Sequence, residues 1–71
     1  MEEKVIEILK EVMEDPNITV DSSQSNCENW DSLHQLNLVL ELEDNFDVTL
    51  EPEEIAEMKS VADIIRILSA K

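Results

Sequence analysis

Apolar residues return along most of this chain at three- and four-residue intervals, the spacing that lines one face of an α-helix. Between Glu2 and Glu14, Val5, Ile6, Ile8, Leu9, Val12 and Met13 fall on one side, and Glu3, Glu7, Lys10, Glu11 and Glu14 take the other. The spacing predicts a first amphipathic helix over 2–14. Pro16 stops it, because the residue before a proline is biased out of the helical region. From Asn17 to Trp30 no period is sustained; Ile18 and Val20 are the inward-facing candidates, followed by the polar run DSSQSN. A connection this long is uncommon in a small domain, and it reads as a loop that travels the domain's length. A second helix is expected from Asp31 or Ser32 to about Phe46. On a ~100° wheel, Leu33, Leu36, Leu38, Val39, Leu40, Leu42 and Phe46 spread over roughly 220°, interrupted by Gln35 and Glu43. His34, Asn37, Glu41, Asp44 and Asn45 share the remaining stripe. A helix apolar over so wide an arc is expected to be central, packed on several neighbours at once. Val48 and Leu50 then read as inward-facing loop residues. Pro52, suited to a first helical position that needs no N–H, opens a short third helix through Met58. Ser60-Val61-Ala62-Asp63 has the form of a capping box in front of a fourth helix carrying Ile64, Ile65, Ile67 and Leu68. The expected architecture is all-α: a small four-helix bundle in one domain, 1–71, with a long loop between the first two helices and a short third helix.

Composition narrows what such a bundle can do. A chain of 71 residues builds one small core. It contains no glycine, which excludes every motif that needs a glycine-rich backbone: the phosphate-binding P-loop, the dinucleotide fingerprint, the EF-hand and the G-x-S-x-G elbow. Eighteen acids against five bases give a net charge of −13. That charge repels nucleic-acid phosphates and anionic membrane surfaces, so neither is an expected partner, and it steers basic proteins inward. The first residues contain no unbroken apolar stretch of the secretory kind, and a cytoplasmic location is expected. Cys27 is the only cysteine, so neither an intrachain disulfide nor a thiolate zinc site can be completed.

Candidate chemistry concentrates at Trp30-Asp31-Ser32-Leu33, where the long loop meets the second helix. A serine in a first helical turn is reachable by another enzyme. The unpaired N–H groups and positive dipole end there would welcome a phosphodiester on Ser32, with Asp31 opposing slightly as a like charge. Ser32-Leu33-His34-Gln35 also fits the S-x-x-Q capping box, in which Ser32 merely caps and Gln35 reaches back. Composition and period alone favour the cap, because capping serines are far commoner than modified ones. Ser32 and His34 form no catalytic dyad, since residues two apart point to different sides of a helix, and no enzyme activity is expected. Asp31, His34 and Asn37 lie about a turn apart but read as a solvated face, and no metal site is expected. Trp30 reads as a packing anchor, and Cys27 as incidental.

The stretch from Trp30 to about Leu68 resembles the acyl carrier protein family. Asp31-Ser32-Leu33 matches its Asp-Ser-Leu signature; Val39, Leu40, Leu42, Glu43 and Phe46 match the continuation, and Leu50 with the Ser-Val-x-x-Ile start of the fourth helix also fits. The resemblance implies that Ser32 carries 4′-phosphopantetheine, transferred from coenzyme A by a phosphopantetheinyl transferase. An acyl or aminoacyl group would ride as a thioester on the arm's thiol, in fatty-acid or specialised-metabolite biosynthesis. Partners would be that transferase, a loading ligase, and acyl-transferring or synthase enzymes with basic docking surfaces; the carrier itself would be a monomer. Asp31, Leu33, His34, Asn37, Glu41 and Asp44 would form the docking face. Leu36, Leu40, Ile55, Met58, Val61 and Ile65 are candidates for an acyl-chain pocket, with a packed core as the plain alternative. Fatty-acid carriers usually show acids two and five residues after the modified serine, where this chain has His34 and Asn37. Trp30 before the signature resembles small stand-alone carriers of specialised or surface-polymer pathways. The alternative function is an acidic helical interaction module without a prosthetic group.

Overall fold

In the computed structural model, which describes residues 1–71, four helices follow one another: α1 (Glu2–Met13), α2 (Ser32–Phe46), α3 (Pro52–Glu57) and α4 (Val61–Ser69). No strand forms; Ser23 and Ser60 make one isolated antiparallel bridge. The ends follow local chemistry. With no glycine available, Glu14 after α1 and Asp47 after α2 take the left-handed conformation themselves, at φ 54° and 53°. α3 opens on Pro52, with Glu54 Oε1 accepting the Glu51 N–H at 2.9 Å. At α4, Ser60 Oγ accepts the Asp63 N–H at 3.1 Å, while Asp63 reaches back to the N–H of Lys59 at 3.4 Å, one residue beyond the expected Ser60.

The core is one cluster. Val5, Leu9 and Met13 of α1, Leu38 and Leu42 of α2, Met58, and Val61 and Ile64 of α4 have no exposed surface. α1 packs on α2 and α4, and Phe46, Val48 and Ile55 close the margin half-buried.

The long loop is tied down at both edges. Ile18, Cys27 and Trp30 enter the core, and burial pushes the Cys27 thiol up from its ordinary pKa. Asn29 Nδ2 donates to the Met13 carbonyl at 2.7 Å, satisfying one of the acceptors that the end of α1 leaves open. Two backbone bonds fix the other side, Gln24 N–H to the Lys59 carbonyl at 2.9 Å and Val61 N–H to that of Ser22 at 3.0 Å. Val20, expected inward, is 41% exposed, and the buried residue beside it is Ser22, whose Oγ accepts the Thr19 N–H at 2.9 Å. Ser22 is held in this turn by its own hydrogen bond and by the bond from Val61 at the start of α4.

The largest departure from expectation is α2. Only Leu38, Val39 and Leu42 are buried on it, whereas Leu33, Leu36 and Leu40 are 65%, 60% and 60% exposed. The helix is therefore not wrapped by neighbours. α3 has six residues and no buried side chain, and so small an element leaves half of α2 open to water.

Candidate functional site

Ser32 is the first residue of α2 and is exposed. It is not the cap. That role falls to Asp31, in extended conformation at φ −107°, whose Oδ1 accepts the His34 N–H at 2.9 Å and pairs with His34 Nδ1 at 2.7 Å. The bond from the His34 backbone N–H, then the imidazole, holds the Asp31 carboxyl below its ordinary pKa. Gln35, which in the S-x-x-Q reading would reach back to the helix start, turns the other way. Its Oε1 accepts the Trp30 indole N–H at 2.6 Å, and its Nε2 donates to the carbonyls of Ile55 and Met58, both at 3.1 Å. No protein group hydrogen-bonds to the Ser32 hydroxyl.

Two polar residues interrupt the apolar arc of α2, and both fasten the α3 segment. Gln35 grips its C-terminal carbonyls, and Glu43 Oε2 accepts the Leu50 N–H, just before α3, at 2.8 Å. The sequence offered Gln35 only a capping role at the start of α2 and Glu43 none; a polar side chain at an inward helical position is the signal that could have revealed the clamp. The serine is thus flanked by a buried tryptophan, 4% exposed, and by a glutamine bound to α3, so its backbone is held while its hydroxyl stays free.

Of the expected docking residues, Asp31, Leu33, Asn37, Glu41 and Asp44 are exposed and His34 is half-buried. The last four of the exposed set lie on one face of α2, over about 18 Å from Ser32 to Asp44 at 1.5 Å per residue. Of the expected pocket residues, Leu36 and Leu40 stand in solvent, Ile55 and Ile65 are half-buried, and Met58 and Val61 are core. No cavity joins the six. Leu33, Leu36 and Leu40 instead form an exposed apolar ridge beginning next to Ser32, which the sequence did not distinguish from core. Of the two concavities present, one lies between α1 and α2, lined by Ile8, Glu11, Val12, Asn37, Leu40 and Glu41. The other lies in the long loop, around Asp15 and Asp21. No helix is long and apolar enough to cross a membrane.

Ser32 is thus an exposed, unengaged serine at the start of an anchored helix. The family described as "Phosphopantetheine attachment site" matches residues 3–68. An acyl carrier protein of Petrotoga mobilis is 34% identical over 71 residues, covering 97% of this chain and 84% of the relative. The chain belongs to the acyl carrier protein family. An acyl carrier protein of Syntrophus aciditrophicus is 33% identical over 73 residues, covering 100% of this chain and 91% of that one. Among solved structures, a Mycobacterium tuberculosis protein assigned as an acyl carrier protein superimposes with a TM-score of 0.85 at 26% identity, covering 97% of this chain and 95% of its own. The prosthetic group of this carrier protein is 4′-phosphopantetheine, and its relatives are carriers rather than catalysts.

Proposed function

We propose that Ser32 is the attachment residue and that residues 1–71 act as a single carrier domain in the cytoplasm. The observation that carries this reading is the division of labour at the start of α2: Asp31 caps and Gln35 binds α3, so the Ser32 hydroxyl has no structural duty. In attachment, the Ser32 oxygen would bond to the phosphorus that bears the pantetheine of coenzyme A. The adenosine bisphosphate would leave and the serine proton would pass to a base of the phosphopantetheinyl transferase. The arm's terminal thiol then holds an acyl or aminoacyl group as a thioester. The loading ligase and the acyl-transferring or synthase enzymes dock on the outward face of α2, steered by the charge of −13. The same charge opposes self-association and favours a monomer. With His34 and Asn37 following the serine, the near half of this face offers partners an apolar ridge, and its acids, Glu41 and Asp44, come later.

The test is intact-mass spectrometry after incubation with coenzyme A and a broad-specificity transferase, with Ser32→Ala alongside. One added phosphopantetheine on the wild type alone is expected. Folded wild type left unmodified by several transferases would sink the assignment and favour an acidic interaction module that ignores Ser32.

A further inference from the structure

The inward row of α2 begins before Leu38. Gln35, Leu38 and Leu42 follow at intervals of three and four residues and share a helix face. Gln35 is therefore the member of that row nearest Ser32, about 4.5 Å away along the axis. It is half-buried, and its amide is engaged at both ends, Oε1 by the Trp30 indole and Nε2 by the Ile55 and Met58 carbonyls. Because those carbonyls lie at the end of α3, the side chain spans the seam between the two helices. About 12 Å farther along α2, Glu43 Oε2 takes the Leu50 N–H and fastens the other end. α3 is tied to Lys71 as well, through Glu54 at 2.8 Å. Behind the clamp, Leu38, Leu42, Met58, Val61 and Ile64 have no exposed surface, and none of them lines either concavity of the molecule.

We propose that Gln35 is a specificity-determining residue. It closes the α2–α3 seam to whatever Ser32 carries, so that the cargo is a short or polar acyl group held in solvent rather than sheltered in the core. In taking Ser32 as the attachment residue, the inference rests on the carrier reading. A chain entering from the serine along the inward row meets Gln35 first. Displacing its amide leaves the Trp30 indole N–H and the Met58 carbonyl unpaired, while the Ile55 carbonyl keeps only the Met58 N–H. Each group so orphaned costs about 5- to 150-fold in the opening equilibrium. Each methylene buried returns only about fourfold. The entering chain must also push apart side chains that are already close-packed. An acyl group of a few carbons does not repay both costs, and an aminoacyl group, with a charge to desolvate, repays still less.

The test loads Ser32 from hexanoyl-coenzyme A with a broad-specificity transferase and compares the wild type with Gln35→Ala, both as the full chain. One readout is the NMR shift of the Leu38, Leu42 and Ile64 methyls between the hexanoyl and unacylated forms. The other is the rate at which hydroxylamine cleaves the thioester, set against free hexanoyl-pantetheine. In the wild type the methyls should stay in place and cleavage should match the free thioester. In Gln35→Ala the methyls should shift and cleavage should slow about tenfold, the shelter that roughly two buried methylenes supply. Should the alanine variant fail to fold, Gln35→Glu replaces it, keeping an acceptor for Trp30 and losing both carbonyl bonds. Core shifts or slowed cleavage in the wild type would overturn the proposal, and so would a folded variant that exposes its cargo as fully as the wild type does. A folded wild type that accepts no hexanoyl arm, read by mass, defeats the carrier reading itself and is told apart from both.

Discussion

Along α2, Leu38 and Leu42 face inward with no exposed surface, while Leu33, Leu36 and Leu40 stand mostly in water on the same helix. The inner row packs on α1 and joins the core cluster to which α4 also contributes. No element covers the outer row: Leu40 borders the groove against α1, and α3 is a short helix with no buried residue. A fully buried leucine contributes about 1.5–3 kcal/mol relative to an exposed one, so the inner row holds the domain together and the outer row forfeits most of that gain. What separates the rows is the presence of an opposing element. On the function proposed above, an apolar ridge left open beside Ser32 is a surface for partners rather than an unfinished core.

The comparison is broken most forcefully by cutting each row in turn. Leu42→Ala should cost about 2–5 kcal/mol, a large share of the few kcal/mol that stabilise so small a domain, whereas Leu36→Ala should stay within about 0.5 kcal/mol. Urea unfolding decides it, and equal losses would mean that the rows are not different in kind. Gln35→Met is next. Removing its amide orphans the Trp30 indole N–H and the Met58 carbonyl and leaves the Ile55 carbonyl with only the Met58 N–H, with an expected loss of about 1–3 kcal/mol. The protein has one tryptophan, so its emission should shift to the red as the indole loosens; unchanged emission and unchanged stability would show that the clamp on α3 is not needed.

The outer row is sharpened by Leu36→Asp, which should leave the melting temperature nearly unchanged and lower kcat/KM for transferase loading about tenfold, the effect of one docking anchor. An unaffected rate would reduce the ridge to exposed leucines without a task. The smallest effect concerns pH. Because the folded Asp31 carboxyl is held below its ordinary value of 3.8, its bonds to His34 stabilise the protein above that pH. They are lost as pH falls through the lower folded value. Asp31→Asn keeps a capping oxygen but cannot ionise, so its stability deficit against wild type should shrink below about pH 4. Glu54, also held low by the Glu51 N–H and then by Lys71, titrates in both proteins and cancels in the difference. A deficit constant with pH would remove the charge of Asp31 from the stability of this junction.

The Asp-Ser-Leu signature, the helices and most of their ends were readable in order along the chain, and so was the exposed position of Ser32. The readings that failed share a cause. S-x-x-Q promised a serine cap, yet an aspartate one residue earlier took the role, and the glutamine found better acceptors on α3. The wide apolar arc promised a wrapped helix, yet α3 was too short to cover it. Val20 was expected inward, but Ser22 fills that turn.

Helix periods, proline stops and caps depend on residues within a turn or two of one another, and they can be read from the chain before it folds. Which face of α2 is buried, which residue caps it and where Gln35 points depend on Ile55, Met58 and the length of α3. Gln35 bonds across 20 and 23 residues to those carbonyls. No local pattern encodes that meeting, because it exists only once the loop and α3 have packed beside the helix.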